Sequence, residues 1–456
     1  MSSTEVEVDE LRRITPEYGE DARKNRDKNE KMFPKTYGDS FKDWLRHSWK
    51  VSDQEIEHQF LSMLSFYPKS DGKRTAKIID TPVGDKNFIH EFYIENTETE
   101  TTHGQALGLK DQVKDIVIVH GYGASLGLFL FNFGHLSSIP GIRIHAIDLL
   151  GFGLSARPSF PKFKNDTVEQ VEAVENWFID SLEEWRIKRK INNFVLIGHS
   201  FGGYLSSCYA MKYHKIQNPI LNKLVLVSPV GVERNRHSLL KNLPNPYFDD
   251  SRVAKQNEND ETTSIKDQPQ INPNYENLLL EEDEDAPKSF RINLVRYLWN
   301  HNISPLGLVR NLGPFRSRLI SAWTSRRFSK HYVDEPDAYT KIHDYCYRIF
   351  NAKGSGEFAI TRILGVGALA RLPLMDRMPQ FLAKNNLPSL WMYGDKDWMN
   401  VEAGREMALE INELSKKQGI SRMAGFKILN NAGHHLYMDN PEEFKDSVFK
   451  FLEYKE

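Results

Sequence analysis

The stretch Phe194-Val-Leu-Ile-Gly-His-Ser200-Phe-Gly-Gly-Tyr204 constrains this chain more than any other. A short apolar run ends in Gly-x-Ser-x-Gly, and a helix-compatible segment follows. This is the pattern of a nucleophile elbow, in which a strand turns sharply into a helix and lifts one serine clear of the sheet. Ser200 must then hold a strained backbone conformation, and Gly198 and Gly202 stand where any Cβ would strike the adjoining strand or helix. A glycine-rich turn is the plainer alternative. The strand-like run before and the helix-like run after weigh against it.

The bulk properties narrow the setting. A chain of 456 residues holds one large α/β domain with an insertion, or two domains. A formal net charge of -2 argues against a general nucleic-acid binder. Cys208 and Cys346 are the only cysteines, too few for a disulfide framework, which points to a reducing, intracellular compartment. No apolar run reaches the roughly 18 residues of a spanning helix. The stretch Met1 to Glu10 is acidic and lacks an apolar core, so it does not read as a secretory signal, and the basic residues after it make a poor mitochondrial presequence. Membrane contact is therefore expected to be peripheral.

Residues 1–40 are highly charged and read as a flexible arm. Trp44, Trp49, Ile56, Phe60, Met63 and Leu64 then mark one or two amphipathic helices, and 74–83 with 87–95 read as an opening hairpin. Asp115 to Val119 is a continuous apolar run suited to a strand buried on both faces. It ends in His120-Gly121-Tyr122-Gly123, where small residues let backbone approach a substrate carbonyl. The backbone amides of Tyr122 and Phe201 are the candidate oxyanion donors, and the His120 side chain reads as a buried tie for the loop. Further strands at 142–149 and 223–230 alternate with helical periodicity at 166–190 and after the elbow, which calls for a parallel sheet.

The alternation stops at residue 233 and resumes at 389. The expected division is thus 41–232 and 389–456 for the two parts of the core and 233–388 for an inserted cap. Within the insert, 249–287 is rich in Asn, Gln, Asp and Glu and reads as disordered. Lys288 to His331 contains no acidic residue, and Arg310, Arg316, Arg318, Arg326 and Arg327 are interleaved there with Trp299, Phe315 and Trp323. This pattern suits a surface that meets anionic lipid headgroups, with a solvated cap face as the alternative. Residues 340–371 read as helical. The core closes with a strand at 390–393, a helix at 401–417, a strand at 426–430 and a helix at 441–454.

A serine hydroxyl needs a base, and the base needs an orienting acid. On an elbow sheet they follow in the order Ser, Asp, His, each after a strand end. Ser200, Asp397 and His434 match. Asp395 is the rival acid and His435 the rival base. Asp397 is favoured because it lies further round its loop, and His434 because it directly follows Gly433.

Four segments carry a family resemblance: Val117-Ile-Val-His-Gly-Tyr-Gly-Ala-Ser125, His145-Ala-Ile-Asp-Leu-Leu-Gly-Phe-Gly-Leu-Ser155, Ile197-Gly-His-Ser-Phe-Gly-Gly-Tyr204 and Ala432-Gly-His-His-Leu-Tyr-Met-Asp-Asn-Pro441. With Ser304 to Phe315 in the cap, they resemble the α/β-hydrolase subfamily of lysophosphatidic-acid acyltransferases and phospholipid deacylases. That group includes a cardiolipin-specific deacylase and a lipase co-activator that lacks the nucleophilic serine. The resemblance spans roughly 40–235 and 290–455. It implies an α/β-hydrolase fold, a mostly parallel sheet with a helical cap inserted between strands 6 and 7. It implies a serine hydrolase acting on acyl esters of glycerophospholipids, cardiolipin or a related lipid, with an acyltransferase using acyl-CoA as cosubstrate and a non-enzymatic lipid-surface scaffold as the alternatives. No metal or organic cofactor is implied. The implied location is peripheral on a membrane, the mitochondrial inner membrane or a lipid droplet and cytoplasm. The His-x4-Asp spacing of His434 and Asp439 is associated in the group with acyl transfer; the plainer reading is that Asp439 caps the closing helix.

Overall fold

A computed structural model describes residues 34–47, 51–98, 114–240, 297, 299, 301, 303–332, 336–420 and 423–453. Most of the expected arm and the acidic insert 249–287 lie outside these. Helix α1 (Tyr37–His47) opens inside the 1–40 segment, and α2 (Asp53–Leu61) follows. The sheet then begins with the hairpin β1 (Arg74–Val83) and β2 (Asn87–Asn96), paired antiparallel through the tight turn at Gly84. Next come β3 (Asp115–Val119), α3 (Leu130–Leu136), β4 (Arg143–Ile147), α4 (Val168–Lys188), β5 (Phe194–His199), α5 (Phe201–Tyr213) and β6 (Leu221–Val227). After the insertion, β7 (Ser389–Gly394) and β8 (Ala424–Leu429) complete eight strands in the order β1-β2-β4-β3-β5-β6-β7-β8.

From β4 to β8 every neighbouring pair is parallel. The unbroken apolar runs explain this. β3, β5 and β7 are buried at every residue, which requires helices on both sheet faces and so crossover connections. The chain leaves β3 for β4 on one side and returns to β5 on the other. The carboxyl ends of β3 and β5 therefore form a switch point, where connections diverge and leave a crevice.

The insertion between β6 and β7 carries α6 (Pro305–Asn311), α7 (Arg316–Tyr332), α8 (Pro336–Asn351) and α9 (Met378–Asn385). The single helical stretch expected over 340–371 is broken after Asn351. Gly354, Ser355 and Gly356 intervene, and a Cβ on Gly356 would lie 2.8 Å from the Leu150 carbonyl oxygen, so the chain needs glycine there and resumes in short turns. Helices α10 (Val401–Lys416) and α11 (Pro441–Leu452) flank β8.

By its own contacts the chain divides into two compact units: Met1–Phe60 with Arg310–Arg348, and Leu61–Val309 with Ile349–Glu456. The sequence-based boundary at 41 places α1 and α2 with the sheet, whereas this division groups them with α7. In the smaller unit, the Asp43 carboxylate accepts from Lys35 Nζ and Ser317 Oγ, both at 2.6 Å, and faces His343 Nε2 at 3.3 Å. Burial alone would raise its pKa, but His343 and Lys35 prevail and hold it far below the ordinary carboxylate range. Phe60 stacks on Tyr345 with ring centroids 4.3 Å apart.

Candidate active site

The larger unit gathers its polar groups at the carboxyl ends of β3, β5, β6, β7 and β8. Ser200 follows β5 with φ 53° and ψ -117°, a conformation that non-glycine residues adopt only under constraint. The constraint is visible in its neighbours. Ser200 N donates to Val227 O at 2.9 Å, and Val230 N donates to Ser200 O at 3.3 Å. A Cβ on Gly202 would lie 2.2 Å from the His120 carbonyl oxygen, and one on Gly198 would lie 2.4 Å from Ser206 Oγ, so both positions require glycine. The Ser200 side chain does not cap α5. Its Oγ lies 2.9 Å from His434 Nε2 instead.

His434 stands in the turn after β8, and its Nδ1 lies 3.2 Å from Asp397 Oδ1 in the turn after β7. Asp397 is 3% exposed and also accepts from the Met399 amide at 3.1 Å. Burial would raise its pKa; hydrogen bonding and charge at His434, with help from Ser228, outweigh that and keep the carboxylate ionised. The rival residues sit elsewhere. Asp395 Oδ1 accepts from the Ala432 amide at 2.8 Å and pins one loop to the other. His435 packs its ring 5.5 Å from His434 and 5.0 Å from His199, and the contact to Ser200 Oγ belongs to His434.

The loop after β3 runs beside the elbow: a Cβ on Gly121 would lie 3.0 Å from Ser200 Cβ. This sets the Tyr122 backbone next to Ser200 from one side, with Phe201, the first residue of α5, adjoining it in the chain. The Tyr122 and Phe201 rings meet edge-on with centroids 6.4 Å apart. His120 is fully buried. Its Nδ1 donates to Gly121 O at 2.7 Å and its Nε2 accepts from Leu149 N at 3.1 Å. Burial lowers its pKa to about 4, so it stays neutral and ties the loop to the end of β4. The Tyr122 hydroxyl lies 3.2 Å from Ser304 Oγ, at the start of the cap segment.

Two further side chains join this cluster: His199, the last residue of β5 and part of the Gly-x-Ser-x-Gly stretch, and Ser228, which no sequence signal marks except its place after a strand. His199 is buried, held well below its usual pKa by burial, and donates from Nε2 to the His434 carbonyl at 2.9 Å. Ser228, just past β6, places its Oγ 2.5 Å from Asp397 Oδ2 and 2.8 Å from His434 Nδ1. Asp439 departs from the helix-capping reading. Asn440 is the N-cap of α11, accepting from Glu443 N at 3.3 Å, while Asp439 Oδ2 accepts from the Gly433 amide at 2.9 Å. Asp439 precedes Asn440, so the short turn Leu436–Asp439 folds its carboxylate back onto the histidine turn.

The cap residues expected to face lipid divide. Trp299 donates from Nε1 to Leu364 O at 3.0 Å and packs on the core of its unit, so it is not a free anchor. In the smaller unit, Arg316 donates to the Tyr347 hydroxyl at 2.7 Å, and the Arg318 guanidinium lies 4.4 Å from the Tyr37 ring centre. Arg326 is exposed, while Arg310, Trp323 and Arg327 are half-buried. Phe315 is 56% exposed and Leu319 49%.

The geometry can do one kind of chemistry well: remove a proton from a serine hydroxyl and pass it to a leaving oxygen, without a metal or organic cofactor. The description "alpha/beta hydrolase fold" matches residues 115–441. The chain is 30% identical over 405 residues to a protein of Oryza sativa subsp. japonica named probable 1-acylglycerol-3-phosphate O-acyltransferase, covering 86% of this chain and 80% of that one. It is 27% identical over 336 residues to the (lyso)-N-acylphosphatidylethanolamine lipase of Bos taurus, covering 73% and 77%. A solved esterase of Thermogutta terrifontis superposes with a TM-score of 0.46 at 17% identity, covering 83% of this chain and 98% of that one. The match over 115–441 and the 30% identity to the Oryza protein show that the chain belongs to the α/β hydrolase family, as an enzyme of the serine ester hydrolase or acyltransferase kind.

Proposed function

We propose that this protein deacylates glycerophospholipids, with Ser200 as nucleophile, His434 as general base and Asp397 as the acid that fixes the histidine tautomer. The single observation that carries the reading is the chain of contacts from Ser200 Oγ to His434 Nε2 and from His434 Nδ1 to Asp397, at 2.9 and 3.2 Å. Ser200 Oγ attacks the ester carbonyl carbon as its proton moves to His434 Nε2. The carbonyl oxygen becomes an oxyanion, taken up by the Tyr122 and Phe201 amides, the second of them at a helix N-terminus. The tetrahedral carbon then collapses, the lysolipid oxygen leaves with the proton from His434, and water resolves the acyl-serine by the same steps in reverse.

The substrate class rests on relatives named for lysophosphatidic-acid acyl transfer and for a phospholipid lipase. Cardiolipin or a related diacyl phospholipid is the proposed substrate, met at a membrane surface. A second reading, transfer from acyl-CoA to a lysolipid hydroxyl, is favoured by the acyltransferase relatives and the His434-x4-Asp439 spacing. The contact of Asp439 with the Gly433 amide gives that spacing a use in hydrolysis too.

A membrane substrate calls for a surface that meets lipid. In the smaller unit, Tyr37, Leu312, Phe315, Arg318, Leu319 and Ala322 line a groove of about 560 Å³. Tyr37, Leu312, Phe315 and Leu319 are exposed there, and no helix among the described residues is long and apolar enough to cross a membrane. We assign this face, with Arg326 at its polar edge, to contact with anionic lipid.

Ser200→Ala tests the catalytic reading. Release of lysolipid from cardiolipin-containing vesicles should fall by about 10⁴-fold or more, and labelling by a fluorophosphonate probe should vanish. Retention of a tenth of the wild-type rate by the variant would sink the assignment.

A further inference from the structure

We propose that Ser228 is a positioning residue of the catalytic pair: its hydroxyl bridges His434 Nδ1 and Asp397 and transmits the carboxylate's charge to the histidine. This inference rests on the reading of Ser200 as nucleophile. The hydrogen bookkeeping is forced by the contacts. His434 Nε2 faces the Ser200 hydroxyl, so in the resting base the single ring hydrogen sits on Nδ1. Nδ1–H finds two oxygens, Ser228 Oγ at 2.8 Å and Asp397 Oδ1 at 3.2 Å. An ionised carboxylate only accepts, so at 2.5 Å from Asp397 Oδ2 the Ser228 hydroxyl must be the donor. Its lone pairs then remain for Nδ1–H, and each of the two contacts through Ser228, at 2.8 and 2.5 Å, is shorter than the direct one at 3.2 Å. When Ser200 gives its proton to Nε2, the ring becomes a cation. Its Nδ1–H keeps its hydrogen and so does Ser228; no proton moves along this arm, and only the charge is shared.

The backbone is built to hold the hydroxyl there. Ser228 is fully buried, and its φ of 46° lies in the left-handed region that side chains other than glycine rarely adopt. Ser228 N donates to Met392 O on β7 at 2.7 Å, while the adjacent Val227 O receives the Ser200 amide. Pro229 follows and packs 3.0 Å from the position of a Cβ on Gly203. One turn after β6 therefore braces both the elbow backbone and the acid–base pair. A left-handed serine where glycine would be easier marks a site at which the side chain matters.

Two substitutions separate the hydroxyl from the backbone. Ser228→Ala removes the hydroxyl and keeps the backbone constraint; Ser228→Gly removes the hydroxyl and relieves it. The readout is the rate of phosphonylation of Ser200 by a fluorophosphonate, followed across pH on the full-length protein, together with the melting temperature. The other titratable groups facing His434 are Asp397, His199 and His435, and all remain in both variants. Both variants should label about ten- to a hundredfold more slowly than wild type. In both, the acid limb of the pH–rate profile should move to lower pH, because the protonated ring has lost its nearer acceptor. Ser228→Gly should melt no lower than Ser228→Ala. Wild-type rates and an unmoved acid limb in both variants overturn the proposal. So does recovery of the wild-type rate in Ser228→Gly alone, which would make the effect one of backbone strain. If wild type itself is not labelled at Ser200, the catalytic reading fails first and this inference falls with it.

Discussion

Replacing Asp439 separates two uses of the His434-x4-Asp439 spacing. The carboxylate accepts a hydrogen bond from the Gly433 amide at 2.9 Å, immediately before the histidine. Hydrogen bonds to charged groups contribute roughly 1.5–3 kcal/mol, and this half-buried one belongs nearer the low end, about 1–2 kcal/mol. If all of that is expressed in the placement of His434 in the transition state, Asp439→Ala slows the reaction about five- to thirtyfold. Asp439→Asn keeps an acceptor oxygen and should lose no more than about threefold. Every step that uses His434 should suffer alike. The assay therefore measures two reactions on the same preparations: hydrolysis of a short-chain p-nitrophenyl ester, and acyl transfer from acyl-CoA to lysophosphatidic acid wherever wild type supports it. The expected result is a common fold-loss in both. Selective loss of acyl transfer in Asp439→Ala, with hydrolysis at the wild-type rate, would refute the bracing argument and make Asp439 a dedicated acyltransferase group.

Asp397→Asn should reduce ester hydrolysis by about a thousandfold or more through the wrong histidine tautomer, while Asp395→Asn, which still accepts from Ala432, should cost little; the reverse ranking would reassign the acid. In the sheet, burial opposes but Arg143 and His145 prevail, and they hold the Asp115 carboxyl at about 2. A depressed carboxyl contributes stability that is present above its ordinary pKa and lost as pH falls toward the folded value. Asp115→Asn should thus lower the melting temperature near neutrality and shrink its acid-side drop between about pH 4 and pH 2; an unchanged drop would mean that other carboxylates carry it. Phe315→Asp with Leu319→Asp should weaken binding to anionic vesicles and leave hydrolysis of a soluble ester nearly unchanged, and Arg326→Glu should do the same in a way that fades at high salt. Wild-type vesicle binding by these variants would remove the groove from consideration as the docking face.

Local chemistry makes much of this protein legible in its sequence. An apolar run before Gly-x-Ser-x-Gly can be satisfied by few backbone paths, so the elbow, its strand and its helix follow from neighbours in the chain. Buried parallel strands announce themselves in the same way, as do the strand-end positions of Ser200, Asp397 and His434. The contacts that finish the site are of another kind. Ser228 meets residues 169 and 206 positions away, and His199 meets one 235 away. No periodicity or turn signal marks them, because a buried serine after a strand looks like any other until the sheet order brings β6 between β5 and β7. The same holds for Asp439, whose sequence neighbour Asn440 takes the cap that Asp439 was suited to, and for Trp299, whose aromatic ring suits a membrane interface in sequence but is spent on a carbonyl of its own unit. Residue type and spacing determined which groups could do the chemistry. Tertiary packing alone decided which oxygens stand at 2.8 and 3.2 Å from one ring nitrogen, because that choice depends on strand order and loop approach rather than on neighbours in the chain.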